Sequence, residues 1–152
     1  MISEQFVVGL DLGTTNVKAL LFSLTGQVIA EKEDRIETVF LDGEGAEQDS
    51  RELEAKALNC LRGIIRESKK RSGTIVMIGL SCTMHSLIFV DERLEPLANM
   101  LLWSDGRAAQ KAEELLQDVG REIYSRTGTP DPPDESVRET LLVTRTRCRA
   151  FK

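Results

Sequence analysis

At 152 residues, 41% of them hydrophobic, the chain has the size of one globular domain or part of one, and is too short for two domains with separate cores. Its formal charge of −5 is modest and its signs are interleaved, so no basic stripe offers itself to a nucleic acid and no nucleic-acid partner is expected. No apolar run reaches the length of a membrane span, and Met1-Ile2-Ser3-Glu4-Gln5 is acidic where a signal peptide is basic, which predicts a cytoplasmic protein without a membrane partner.

Phe6 to Leu10 and Val17 to Phe22 are short apolar runs separated by a turn rich in Gly and Thr, and both predict strands. Thr25-Gly26 supplies turn residues for a hairpin into Gln27 to Glu33, so three antiparallel strands are expected to open the fold. Leu41 to Gln48, with two glycines and several acids, predicts a loop. Asp49-Ser50-Arg51-Glu52 then has a capping-box pattern, and Leu53, Ala57, Leu61 and Ile64 recur at helical spacing. The basic cluster Lys69-Lys70-Arg71 followed by Gly73 suits the end of that helix, near Ser72. Ile75 to Leu80 is an uninterrupted apolar run and predicts a strand buried on both faces, with Ser81 to His85 as the loop at its carboxyl end. Leu87 to Val90 predicts another strand, Asp91-Glu92-Arg93 a turn, and Asn99 to Trp103 a further short apolar segment. Ala108 to Val119 predicts a helix from the spacing of Ala112, Leu115, Leu116 and Val119, with Glu122 to Arg126 adding a turn before Gly128-Thr129-Pro130 breaks it. Strands first, then strands interleaved with helices, predict an α/β domain. Cys60, Cys82 and Cys148 are odd in number and widely spaced, which argues against a disulfide framework and a zinc site.

The strongest chemical signal is Asp11-Leu12-Gly13-Thr14-Thr15 at the end of the first strand, with Lys18 on the next. A glycine at such a corner lets the backbone approach a phosphate closely, and the hydroxyls and amides of Thr14 and Thr15 can donate to its oxygens. Asp11 is the candidate magnesium holder, through water, and Lys18 offers a point charge to the same phosphates. The turn joins two strands and G-x-x-x-x-G-K-[ST] is absent, so this is not a P-loop, and an ordinary glycine hairpin is the structural alternative. Ser81-Cys82-Thr83-Met84-His85 leaves a strand at its carboxyl end, where open α/β sheets bind ligands. His85, the only histidine, could therefore bond a substrate hydroxyl or carboxylate; a histidine satisfied by backbone is the alternative, and Met84 taken alone reads as core. In Trp103-Ser104-Asp105-Gly106-Arg107 the indole suits the C–H side of a sugar and Asp105 can accept from its hydroxyls. Equally, Trp103 can be core and Asp105 the N-cap of a helix starting near Arg107. Glu47-Gln48-Asp49 is a weaker candidate that a solvated loop also explains.

These four pieces, in this order, resemble the FGGY carbohydrate kinases, whose first domain opens with G-[LI]-D-[LI]-G-T-T and continues with an E-Q-D/N loop, an M-H loop and W-x-D-x-R. Here they are Gly9 to Thr15, Glu47-Gln48-Asp49, Met84-His85 and Trp103 to Arg107. Ser81 to Leu87 with Trp103-Ser104-Asp105 is similar to the gluconate kinase branch, as is Thr127-Gly128-Thr129-Pro130, and the resemblance covers Phe6 to Pro130. It implies an actin-like, ribonuclease-H-like ATPase fold, represented by an incomplete first domain, with ATP and Mg2+ as cofactors and gluconate phosphorylated on its terminal hydroxyl. By that resemblance Asp11, Gly13, Thr14, Thr15 and Lys18 face ATP, with Asp11 at the metal, while Gln48, Met84, His85, Trp103 and Asp105 face the sugar. Family members use a later aspartate as general base and a second domain for most of the nucleotide pocket, so an inactive N-terminal fragment is expected. A kinase for xylulose or glycerol, disfavoured by the S-C-T-M-H-S loop, and a non-catalytic actin-like binding protein are the other readings.

After Thr129-Pro130 the gluconate kinases usually read I-H-P-M-S-P, then K-L-x-W-L, whereas this chain reads Asp131 to Thr140 without apolar periodicity. Read one base later, codons for Asp131 to Thr140 admit Ile, His, Pro, Met, Ser, Pro, Phe, Val, Lys and Leu in turn. The expected organisation is therefore family sequence over residues 1–130 and an out-of-frame tail without selected structure over 131–152.

Overall fold

A computed structural model describes residues 4–127; the expected helix break at Gly128 and the tail over 131–152 lie outside the described residues. In chain order the elements are β1 (Gln5–Leu12), β2 (Asn16–Ser23), β3 (Val28–Arg35), β4 (Val39–Leu41), β5 (Gly45–Gln48), α1 (Ser50–Lys70), β6 (Thr74–Cys82), β7 (Met100–Leu101) and α2 (Ala109–Thr127). They fall into two compact units. The first takes the described residues up to Thr38 together with Asp49–Thr83, and the second takes Val39–Gln48 with the described residues from Met84 onward.

The first unit is a four-stranded sheet in the order β3-β2-β1-β6 with α1 against one face. The expected opening meander is present: β1 pairs antiparallel with β2 and β2 with β3, while β6 joins β1 in parallel. Side chains alternate across a strand, so Phe6, Val8 and Leu10 of β1 share a face with Val17, Ala19 and Leu21 of β2. All six are buried, and they close the core with Ile36 and with Ala57, Cys60 and Ile64, which recur on one stripe of α1.

The start of α1 follows the sequence closely. Asp49 is its N-cap in extended conformation, and its carboxylate accepts from the N–H groups of Arg51 and Glu52, two of the donors that a helix start leaves without an internal partner. Asp49→Ala is expected to cost about 1 kcal/mol, read as a lower midpoint of chemical unfolding, because both donors then lose the cap. A midpoint equal to that of the parent would mean that water replaces the carboxylate at no cost.

At the other end, the helix closes near Ser72 as expected, and Ser72 itself takes the left-handed conformation (φ 55°). Gly73 is required for space: a Cβ there would lie 2.1 Å from Cε2 and 2.7 Å from Cδ2 of Phe6. Its N–H also donates to Ser68 O at 3.1 Å, which closes the helix end over the ring.

Two expectations for the strands that follow need correction. Ile75 to Leu80 does form a strand, but it is not buried on both faces: Met77 is 63% and Leu80 66% exposed. Among the described residues β6 pairs only with β1, so its outer edge and much of its apolar side-chain surface have no cover. Leu87 to Val90 is not a strand. It makes isolated bridges only, Leu87 with Leu101 and Val90 with Pro96, because the tight turn at Asp91 brings the chain back after too few residues to extend a ladder.

The second unit is a three-stranded sheet in the order β4-β5-β7. The segment expected as a loop, Leu41 to Gln48, is a hairpin in which Leu41 pairs with Gly45 around Asp42-Gly43-Glu44. Gly43 (φ 79°) and Glu44 (φ 68°) turn the chain through left-handed conformations, which glycine adopts freely and glutamate at a cost. α2 runs without interruption through Glu122 to Arg126, the turn expected to extend it. No helix of the described residues is long and apolar enough to cross a membrane.

Candidate functional site

The residues singled out by sequence fall into two groups, one in each unit. In the first unit, Asp11 lies at the end of β1, directly across from Lys18 of β2 and in register with Ser81 of β6. Between β1 and β2 the chain turns through Leu12 to Thr15, closed by Gly13 N–H donating to Asn16 O at 3.0 Å. A Cβ on Gly13 would come 3.0 Å from that same oxygen, so glycine permits the tightness of the corner. The corner is tied to its neighbours on two sides. Thr83 donates to Leu12 O through its N–H (3.0 Å) and its hydroxyl (2.9 Å), and Ile36 N–H donates to Thr15 O at 2.8 Å. Asp11 and Thr15 are exposed.

Lys18 shares the face of Asp11, yet its ammonium is engaged elsewhere. It lies 3.0 Å from Glu31 and 3.6 Å from Glu33 of β3. The hydrogen bond to Glu31, and then the charges of Glu31 and Glu33, hold it above the ordinary lysine range. This competition is not legible in the local sequence, since Glu31 and Glu33 are brought alongside only by the β2–β3 register.

In the second unit, Gln48 ends β5, fully buried and paired with Met100 of β7. Glu47-Gln48-Asp49 is therefore a strand end and a helix cap, not a solvated loop. Met84 is 72% exposed, against the reading of it as core, and His85 is held at φ 62°, an uncommon conformation for a residue with a Cβ. The chain after them is fixed by reciprocal bonds between Leu87 and Leu101, each N–H donating to the other carbonyl at 2.9 Å. Trp103 is 45% exposed, which rules out the core alternative and leaves part of its surface open to a ligand.

Asp105 is 2% exposed, and α2 begins at Ala109, so Asp105 is not the N-cap of that helix. Its Oδ2 accepts from Ala46 N–H (3.0 Å), and its Oδ1 from Arg107 N–H (3.1 Å). Arg107 adds Nε at 3.0 Å from both oxygens and Nη2 at 2.5 Å from Oδ2. The same Nη2 donates to Glu47 Oε1 at 2.7 Å, and Asn99 Nδ2 donates to Glu47 Oε2 at 3.2 Å. Sequence reading missed Glu47 and Arg107 as a pair, although W-x-D-x-R contained one of them. The available signal was opposite charge on two short motifs, sixty positions apart in sequence.

Burial pushes the Asp105 carboxyl upward, but the hydrogen bonds from Arg107 and Ala46 outweigh it and hold the group below the ordinary carboxylate range. A carboxylate whose folded value lies below the unfolded one, about 3.9, contributes stability above that pH and loses it as pH falls through the folded value. Asp105→Asn is thus expected to flatten the decline of the melting temperature between about pH 5 and pH 2. An equally steep decline in the variant would show that other carboxylates carry the acid sensitivity.

Residues 6–138 match the profile of the FGGY family of carbohydrate kinases, N-terminal domain. The gluconokinase of Bacillus subtilis (strain 168) is 31% identical over 144 residues, covering 94% of this chain and 28% of that protein. The xylulose kinase of the same organism is 27% identical over 123 residues, covering 81% of this chain and 25% of its own. Among solved structures, the gluconate kinase from Lactobacillus acidophilus superposes with a TM-score of 0.86 at 25% identity, over 98% of this chain and 30% of that one. The chain thus spans under a third of the length of these relatives. The fold is part of the actin-like ATPase fold of those sugar kinases, as the resemblance implied. A profile match over most of its length makes the chain a member of the FGGY carbohydrate kinases, corresponding to their N-terminal domain.

Proposed function

We propose that the chain is the N-terminal part of an ATP-dependent gluconate kinase, which converts D-gluconate to 6-phosphogluconate. The observation that carries this reading is the 31% identity to a gluconokinase over 94% of the chain. The Gly13 corner fits the phosphates: it is closed so tightly that a side chain would strike Asn16 O, and it stands between the exposed groups Asp11 and Thr15. Asp11, Gly13, Thr14 and Thr15 would hold ATP, with Asp11 taking the Mg2+ through water. Lys18 joins them only by leaving Glu31 and Glu33. When bound, ATP supplies the phosphoryl group and Mg2+ the charge that offsets its oxygens.

Gln48, Met84, His85 and Trp103 would face the sugar acid, with His85 bonding a hydroxyl or the carboxylate and the indole covering the C–H face. Xylulose and glycerol are the other substrate readings, from a xylulose kinase 27% and a glycerol kinase 28% identical. Isothermal titration of the 152-residue chain separates the three. Gluconate is expected to bind at least about tenfold more tightly than xylulose or glycerol, a margin of about 1.4 kcal/mol. Tighter binding of xylulose would reassign the substrate, and binding of none of them would sink the sugar site.

The proposal extends to the chain end, where Asp131 to Lys152 is read as out-of-frame sequence on its codons, while the family match runs past codon 131 to residue 138. Sequencing the DNA across codon 131 tests this. Kinase-like sequence continuing in the shifted frame is expected, and its absence there would overturn the idea.

A further inference from the structure

Trp103 sits at the second position of a four-residue turn whose two ends are gripped by one residue of β5. Asp105 N–H donates to Leu102 O at 2.9 Å and closes the turn. Leu102 N–H donates to Ala46 O at 3.0 Å, and Ala46 N–H donates to Asp105 Oδ2 at 3.0 Å. A carboxylate has about four lone-pair sites. Those of Asp105 are met by N–H groups from Ala46 and from the backbone, Nε and Nη2 of Arg107, which leaves no capacity for a hydroxyl donor. Arg107 in turn spans from Asp105 to Glu47, so its planar fork ties the turn to the hairpin at a second point. Gly45 leaves room for this, because a Cβ there would lie 3.2 Å from Arg107 Nε.

We infer that Arg107 and Asp105 are positioning residues: they lock the turn Leu102 to Asp105 onto β5 so that the Trp103 indole is presented at a fixed angle to the sugar, and Asp105 makes no contact with it. The inference rests on the reading of Trp103 as a sugar wall. Freed from the lock, the turn presents the indole in many orientations, and the ligand must then order it at its own cost. A lysine at 107 keeps the charge but not the fork, and an asparagine at 105 keeps the shape but has one acceptor oxygen, so its amide NH2 must meet the donors of either Ala46 or Arg107.

Trp103 is the only tryptophan, so intrinsic fluorescence reports this turn alone. The test uses the 152-residue chain with Arg107→Lys and Asp105→Asn, and follows amide exchange at Ala46, acrylamide quenching of Trp103, and titration of Trp103 emission with gluconate. Both variants are expected to speed Ala46 exchange and to weaken gluconate about tenfold or more, the loss of a hydrogen bond to a charged group. Exchange in β1, β2 and α1 stays at the parent rate, which separates a loosened turn from an unfolded chain. The inference is overturned if Asp105→Asn loses gluconate while Ala46 exchange and the quenching of Trp103 stay at parent values, since Asp105 then touches the sugar itself. It is equally overturned if Arg107→Lys changes neither readout. If the parent shows no response to gluconate while both variants still loosen Ala46 and Trp103, the lock stands and the gluconate reading alone fails.

Discussion

Arg107→Met is expected to lower the stability of the chain by about 3–5 kcal/mol, the cost of leaving a buried charge without its partner. The asymmetry of the pair makes the loss large. The Arg107 side chain is partly exposed and could be replaced by water at modest cost, but the Asp105 side chain is 1% exposed and would keep only backbone donors. Glu47 loses its cation in the same step. A second change, Asp105→Asn in the Arg107→Met background, is expected to recover part of the loss, because the buried charge itself is removed. Urea unfolding of the four proteins in that cycle reads the coupling. A loss below about 1 kcal/mol for the first variant would place the pair among surface ion pairs, which contribute little.

The second large effect is steric. Gly73→Ala adds a methyl group 2.1 Å from a ring carbon of Phe6, a residue with no exposed surface, in a corner also bounded by Glu4 O at 3.0 Å. Overpacking of this kind costs about 1–3 kcal/mol, and the upper end applies because the obstructing atoms belong to a buried ring and to backbone, neither of which can swing away. Phe6→Leu in the same chain is expected to return part of that loss by withdrawing the ring edge, although the leucine alone is destabilising. Two losses that simply add would mean the helix end moves aside and the ring does not feel the methyl group.

Legibility followed sequence distance. The β1–β2–β3 meander and the Asp49 cap were readable because their signals are local: alternating apolar residues, Thr25-Gly26 at the turn, and an acid one residue before the helix. The β4–β5 hairpin was missed because strands of three and four residues are too short to carry a period of their own and exist by pairing with each other and with β7. β6 was recognised as a strand, but its apolar run reports what the strand is built to bury, and among the described residues little covers it. In the candidate site the corner between β1 and β2 at Asp11 to Thr15 was legible from one short motif. The orientation of Asp105 was not, since it depends on Ala46 and Glu47, about sixty residues away in sequence. The occupation of Lys18 by Glu31 and Glu33 was hidden for the same reason.

The central claim is that this chain carries two separate ligand loops, a phosphate corner at Asp11 to Thr15 and a sugar wall at Met84, His85 and Trp103. Hydrogen–deuterium exchange of the 152-residue chain, with gluconate and then with a non-hydrolysable ATP analogue and Mg2+, tests it most directly. The account predicts that gluconate slows exchange over residues 84–86 and 102–105 and leaves 12–16 unchanged, while the nucleotide does the reverse. Protection by gluconate at 12–16, or by neither ligand anywhere in these segments, would contradict it.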